Sequence, residues 1–283
     1  MIGGVITAMA TPFDADGRFA EDEAVALMHH LLAHGSDGLV LGGTTGEGPT
    51  LSDAERERLW ALGAAECGDA LVVAATGTYD TAHSVHLTER ATAVGVDALL
   101  VVTPYYNKPN RRGLRAHFER VARATDLPVI VYNIPSRCVV DIPNDLLREL
   151  AEVPNITAVK QARADDLAPI EGLDLLAGND DMLADALDLG GTGGILVASH
   201  VVGEEMRRMI DEPAERRAIE RAIAPVVAAL AVTTNPIPLK AALELLGHRV
   251  GEPRLPLVPA SDEERGIVRE ALERHGLLQQ AAR

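Results

Sequence analysis

The sequence predicts a (β/α)8 barrel with a helical C-terminal extension. Three observations predict it. Eight short runs rich in Val, Ile and Leu recur before residue 200. The runs do not alternate polar and apolar residues, as expected of parallel strands buried on both faces. Helix-like segments stand between most of them. A doubly wound parallel sheet satisfies the same pattern, because periodicity alone does not require closure.

The strands are expected at Val5–Ala10, Gly38–Gly42, Ala70–Thr76, Asp97–Thr103, Leu127–Asn133, Ile156–Lys160, Leu173–Gly178 and Gly194–Ser199. The segment Glu21–His34 carries Val25, Met28 and Leu32 at helical spacing. Ser52 stands three residues before Glu55, a capping-box pattern that opens a helix over Asp53–Cys67. Thr81–Val94 and Arg112–Ala124 follow the same plan, and Asn144 is expected to cap Asp145–Ala151. The link from Lys160 to Leu173 leaves room for a short helix or turn only. Asp180–Leu189 and Glu204–Ile210 complete the set. After Asp211 the strands stop, and Glu215–Val232, Pro238–Leu246 and Asp262–Leu277 read as helices. The barrel is therefore assigned to residues 1–212 and the extension to residues 213–283.

Composition narrows the function. Hydrophobic residues make up 47% and charged residues 24% of 283, values of a folded chain. The net charge of −16 disfavours a phosphate backbone or an anionic membrane surface as partner. No apolar run reaches the ~18 residues of a membrane helix. The N-terminus has no basic segment of a secretory signal, and two cysteines are too few for a disulfide framework. A reducing cytoplasm is the expected setting. Only three lysines stand against 23 arginines. Arginine cannot replace lysine where a neutral amine is needed. Each remaining lysine therefore merits inspection, although a coding bias explains the scarcity equally well.

Barrel chemistry sits at the C-terminal ends of the strands, so the residues after each run are the informative ones. After the second strand comes Gly42-Gly43-Thr44-Thr45-Gly46-Glu47. Free backbone N–H groups and two hydroxyls suit a small carboxylate or phosphate, and the absence of a following Lys-Ser/Thr excludes a Walker loop. An ordinary Gly-rich turn is the alternative. After the fourth strand, Tyr105 and Tyr106 are two of the four tyrosines; either is a usable proton relay or an aromatic cover for the barrel end. Lys108 beside them reads as a solvated loop charge. The fifth strand ends in Tyr132, which shares parity with Ile130, and Arg137 follows in a turn. Arg137 could fork onto a carboxylate or be a plain loop arginine. The sixth strand ends in Lys160, at the parity of Ile156 and Ala158. Pointing inward, it would be desolvated, favouring a neutral amine able to condense with a ketone. Pointing outward, it would snorkel to the rim. Lys240, at the start of a C-terminal helix, reads as structural. His30 and His34 lack the Glu of a zinc motif, and His83 and His86 read as facing solvent or a partner; no metal site is expected. Cys138 has no base beside it.

Together these residues are familiar. GTTGE at 43–47, PYYNKP at 104–109, YNIPSR at 132–137 and a lysine closing the sixth strand resemble the pyruvate-dependent class I lyases of the dihydrodipicolinate synthase / N-acetylneuraminate lyase family. The resemblance runs from Gly4 (GVITAMATPFD) to RLPLVP at Arg254–Pro259. Arg137 and the NPIPLK run at Asn235–Lys240 are features of the synthase branch. The resemblance implies a pyruvate imine on Lys160 and proton relay through Tyr132, Thr44 and Tyr106, the last reaching in from a neighbouring subunit. It implies that Thr44 and Thr45 hold the pyruvate carboxylate, that Ile195 lines the site through its carbonyl, and that Arg137 binds the carboxylate of aspartate semialdehyde. It further implies no metal or organic cofactor and a homotetramer built as a dimer of dimers. A same-fold aldolase or dehydratase for a 2-keto-3-deoxy sugar acid or sialic acid is the alternative, with Arg137 as the discriminating residue. A metal-dependent aldolase lacks its His cluster here, and a non-catalytic barrel would not need Lys160, Tyr132, Thr44 and Tyr106 together.

Three departures from the family pattern stand out. YNIPSR is followed by Cys138-Val139 in place of Thr-Gly, Lys160 by Gln161 in place of an acid, and GTGGILV leads to His200. At the family's lysine-feedback positions this chain has Gly48, Asp53, Arg56, Tyr79 and His83, without the usual His at the second, Asn at the fourth or Glu at the fifth. Weak or absent lysine inhibition is expected.

Overall fold

In the computed structural model, which describes residues 1–278, the eight apolar runs become eight parallel strands. They are β1 (Gly4–Ala8), β2 (Gly38–Leu41), β3 (Leu71–Ala75), β4 (Ala98–Val102), β5 (Val129–Asn133), β6 (Ile156–Gln161), β7 (Asp174–Ala177) and β8 (Gly193–Leu196). Each pairs with the next, and β8 pairs back to β1 through Ile6 and Ile195, so the sheet closes. Closure removes the doubly wound alternative. At the seam β8 begins on Gly193 with φ +155, where a Cβ would sit 2.1 Å from Gly4 O. Only glycine lets the two strand ends approach so closely.

Alternate residues separate two apolar layers. Ile6, Val40, Leu100, Ile130, Leu176 and Ile195 fill the barrel interior. Val5, Leu39, Leu99, Val131, Val159 and Leu175 face the helices. Both faces are thus dry, which is why the strands read as unbroken apolar runs.

The barrel helices are α1 (Glu21–Ala33), α2 (Asp53–Glu66), α3 (Thr81–Val94), α4 (Arg111–Ala122), the single turn α5 (Pro135–Cys138), α6 (Asn144–Leu150), α7 (Leu183–Asp188) and α8 (Ser199–Asp211). The capping box on α2 forms as expected: Ser52 accepts from Glu55 N–H, and Glu55 accepts from Ser52 N–H. Trp60 of α2 is fully buried and donates Nε1–H to Leu41 O at 3.2 Å. Truncating such a side chain typically costs ~3–5 kcal/mol. Asn144 does not cap α6. Pro143 holds that position, and Asn144, already helical, donates its amide to Asp166 O at 3.2 Å. The link after β6 contains only a 3-10 turn, Ala164–Asp166, and a second one, Asp180–Met182, precedes α7. Helix α8 starts earlier than predicted, with non-helical backbone at Val202 marking its kink.

The chain after Asp211 forms α9 (Arg216–Leu230), α10 (Ile237–Leu245) and α11 (Asp262–His275). Pro225 lies inside α9 without ending it. Ile237 to Leu243 of α10 are all buried, the mark of a helix enclosed on every side. The predicted extension runs to 283, and residues 279–283 lie outside the described residues.

Candidate active site

Lys160 points into the barrel. A register shift between β5 and β6 pairs Val129 with Ile156 but Ile130 with Ala158. Ile156 therefore packs in the outer layer while Ala158 lies inside, so the three residues do not share one face as the simple parity count expected. Past the bulge the register places Tyr132 directly beside Lys160. Lys160 is 5% exposed, and its Nζ stands 4.2 Å from the Tyr132 ring centroid. No ion-pair partner meets it among the described residues. Burial pulls its pKa down to about 7, against the Asp180 carboxylate, which raises it, and with the Arg137 guanidinium, which lowers it further. A neutral amine is thus accessible near neutral pH.

Tyr132 is also buried, and burial raises its phenol well above the ordinary range. Arg137 and the Thr44 hydroxyl pull the other way. Behind this pair, Asn133 is fully buried and binds two segments: it donates to Asp141 Oδ1 at 2.9 Å and Gln161 Oε1 at 3.1 Å, and accepts from Ile142 N–H at 3.1 Å. Gln161, where the family has an acid, is therefore satisfied, and it fixes the end of β6 to the segment carrying Arg137. Arg137 itself lies on α5, is exposed, and among the described residues donates only to Asn235 O at 3.4 Å. Val139 closes α5 with φ +63, a left-handed position at which the family pattern has glycine.

The loop after β2 is a tight turn. Glu47 N–H donates to Thr44 O at 3.1 Å and Gly48 N–H to Gly43 O at 2.9 Å. A Cβ on Gly48 would lie 2.2 Å from Gly42 O, so the close crossing needs glycine. Thr45 is buried and its Oγ1 accepts the Asn235 amide at 3.0 Å. A hydroxyl whose oxygen already accepts keeps its hydrogen to donate. Thr11, just past β1, donates to Gly46 O at 2.7 Å, and Arg56 of α2 donates to Gly48 O and, at 3.3 Å, to Ala75 O. Ile195 is fully buried in the interior layer on β8.

Tyr106 is not gathered with these groups. It is 90% exposed, with φ +69. Sequence reasoning missed Asp180, which opens the 3-10 turn shortly after β7 and accepts from Val197 N–H at 2.8 Å and Ala198 N–H at 3.0 Å. Its position after a strand was the signal available. It also left the C-terminal residues Asn235 and Lys240 without a role at the loop. Cys138 is buried against the interior layer, and burial pushes its thiol up to about 11. A cavity of about 700 Å³ opens at the other end of the barrel, beside Thr125, Asp126, Pro154 and Asn155. It holds no nucleophile, so the site is assigned by its side chains and not by cavity size.

The remaining histidines lie outside the barrel interior. His83 Nε2 meets Asp53 Oδ1 at 2.9 Å on the α2–α3 surface. His30 lies between the tilted rings of His34 and His248, and burial and both neighbours hold it near pKa 4. Among the described residues no group of three or more His, Cys, Asp or Glu is arranged to hold a metal ion, and no helix is long and apolar enough to cross a membrane.

Fold and site together define a class: barrel enzymes that work at the strand C-termini around a desolvated lysine. Within that class the chain belongs to the dihydrodipicolinate synthetase family, whose model matches residues 1–275. It is 43% identical to the 4-hydroxy-tetrahydrodipicolinate synthase of Moorella thermoacetica, covering 98% of this chain and 99% of that protein. The corresponding protein of Symbiobacterium thermophilum is 45% identical, with 98% and 99% covered. Among solved structures, dihydrodipicolinate synthase from Aquifex aeolicus superposes with a TM-score of 0.95 at 37% identity, covering 99% of this chain and 100% of that one. The lysine-bound enzyme from Cyanidioschyzon merolae has the same TM-score and identity, with 98% and 99% covered.

Proposed function

We propose that this protein condenses pyruvate with aspartate semialdehyde to give 4-hydroxy-tetrahydrodipicolinate in lysine biosynthesis. The observation that carries the reading is the inward, desolvated Lys160 held beside Tyr132. The neutral amine attacks the pyruvate ketone, and loss of one water leaves an imine. Loss of a C3 proton gives the enamine, a carbon nucleophile that neither pyruvate nor an arginine could supply. The enamine attacks the aldehyde carbon, the alkoxide takes a proton, and the amine of the former semialdehyde displaces Lys160 as the ring closes.

Thr44 and Thr45 hold the pyruvate carboxylate, with the Ile195 carbonyl lining the same site. Tyr132 and Thr44 move protons, joined by Tyr106 from a neighbouring subunit. The exposure of Tyr106 supports a donor acting across an interface, in a homotetramer built as a dimer of dimers. Arg137 takes the second carboxylate; its guanidinium meets no carboxylate among the described residues, which supports a substrate anion over a polyol aldehyde. The reaction needs no metal or organic cofactor, and its setting is the cytoplasm.

The test is condensation by the purified protein, read by mass spectrometry of the cyclic product. Turnover supports the reading. No turnover in protein that still forms a pyruvate imine would move the second substrate to a sugar-acid aldehyde. Lysine is expected to inhibit weakly, because Asp53 and His83 bind each other and Arg56 is turned inward to Gly48 and Ala75. Strong inhibition at sub-millimolar lysine in a titration would contradict this.

A further inference from the structure

The turn that displays Thr44 and Thr45 ends at Glu47, whose backbone is left-handed (φ +53). A non-glycine residue there holds only where its surroundings fix it. At Glu47 the fixing groups come from the C-terminal extension. Lys240 Nζ lies 2.7 Å from Glu47 Oε1, and the two side chains are 3% and 1% exposed. The backbone N–H of Arg254 donates to Glu47 Oε2 at 2.8 Å. Lys240 also donates to Glu252 O at 3.2 Å and stands 4.3 Å from the Phe13 ring centroid.

Two arguments tie this pair to substrate binding. Glu47 closes the same tight turn as the threonines, through its N–H to Thr44 O at 3.1 Å, so a rotation at Glu47 moves both hydroxyls. A buried ion pair is also a poor source of stability, because the desolvation of two charges offsets their attraction. Its effect is to select one arrangement, since a carboxylate removed from water has few other partners.

We infer that Glu47 and Lys240 are positioning residues for pyruvate: their ion pair fixes the left-handed turn and so the direction in which Thr44 and Thr45 present their donors. The inference rests on the proposed role of those threonines. Neither Glu47 nor Lys240 touches the reacting atoms.

The test compares the wild type with Thr45→Ala, Glu47→Gln and the double variant Glu47→Gln/Lys240→Met, which removes both charges together. Steady-state kinetics give kcat and KM for each substrate, and borohydride trapping of pyruvate counts competent sites. In the double variant KM for pyruvate is expected to rise about tenfold and kcat per competent site to fall with the displaced Thr44, while KM for the semialdehyde stays within about threefold. Partial loss of fold lowers the count of competent sites but leaves their KM alone. An unchanged pyruvate KM therefore overturns the inference. Should the double variant yield no competent sites, Glu47→Gln decides by the same reading. Thr45→Ala separates the two levels. If it leaves pyruvate KM unchanged, the loop's assignment to pyruvate fails. If it raises KM and the Glu47 variants do not, only the positioning role fails.

Discussion

Two buried lysines sit in two regions of this molecule, and they differ in what meets the amine. Lys160, inside the barrel, and Lys240, in the C-terminal extension, each lie over an aromatic ring, at 4.2 Å from Tyr132 and 4.3 Å from Phe13. Both are nearly closed to water. Burial lowers the pKa of both. At Lys240 the Glu47 carboxylate opposes that fall by direct contact. Lys160 has only the more distant Asp180 to oppose it and Arg137 to reinforce it. Burial favours the neutral amine at both positions, and only at Lys240 does a carboxylate in direct contact hold the charged form against it.

The largest effect that sharpens this comparison is Lys160→Ala. It should abolish borohydride trapping of pyruvate and condensation together, and no adduct should appear on Lys240. Mass spectrometry that found pyruvate on Lys240 would break the distinction between the two amines. Next is Lys240→Met, which strands the Glu47 carboxylate in the interior. Removing one member of a buried pair costs ~3–5 kcal/mol, a fall of roughly 10 °C in the melting temperature. Calorimetry checks it, and an unchanged melting temperature would mean that Glu47 finds water or another partner. The smallest effect is on pH dependence. In the proposed reaction the reactive form of Lys160 is the neutral amine, so kcat/KM for pyruvate should fall about tenfold per unit below a limb near pH 7. Arg137→Ala removes a neighbouring positive charge, makes the ammonium easier to hold, and should move that limb to higher pH. A limb that stays where it is would remove Arg137 from the electrostatics of Lys160.

Much of the fold was legible because its signals are local. Parallel strands dry on both faces leave apolar runs, and Ser52 with Glu55 marks a helix start within four residues. The candidate site was legible as a set of strand-end residues, for the same topological reason. The failures also have causes. The inward direction of Lys160 depends on a register shift near Ile156 that no residue type announces. Asn144 resembled a cap, yet Pro143 before it took the extended backbone that the position requires. Lys240 is structural as read, but its partner could not be named, because Glu47 lies about two-thirds of the chain away and only the closed fold brings the two together.

That distance also orders events during synthesis. The ribosome extrudes the chain at ~5–20 residues per second, and β8 is complete at Leu196. Asn235, Lys240 and Arg254, which hold the turn after β2, emerge only later. A nascent chain can therefore own every strand of the barrel, Lys160 included, before the residues that hold Thr45 and Glu47 have been made. The turn after β2 gains these partners only once Arg254 has emerged, so the proposed pyruvate carboxylate site is completed later than the barrel that carries it.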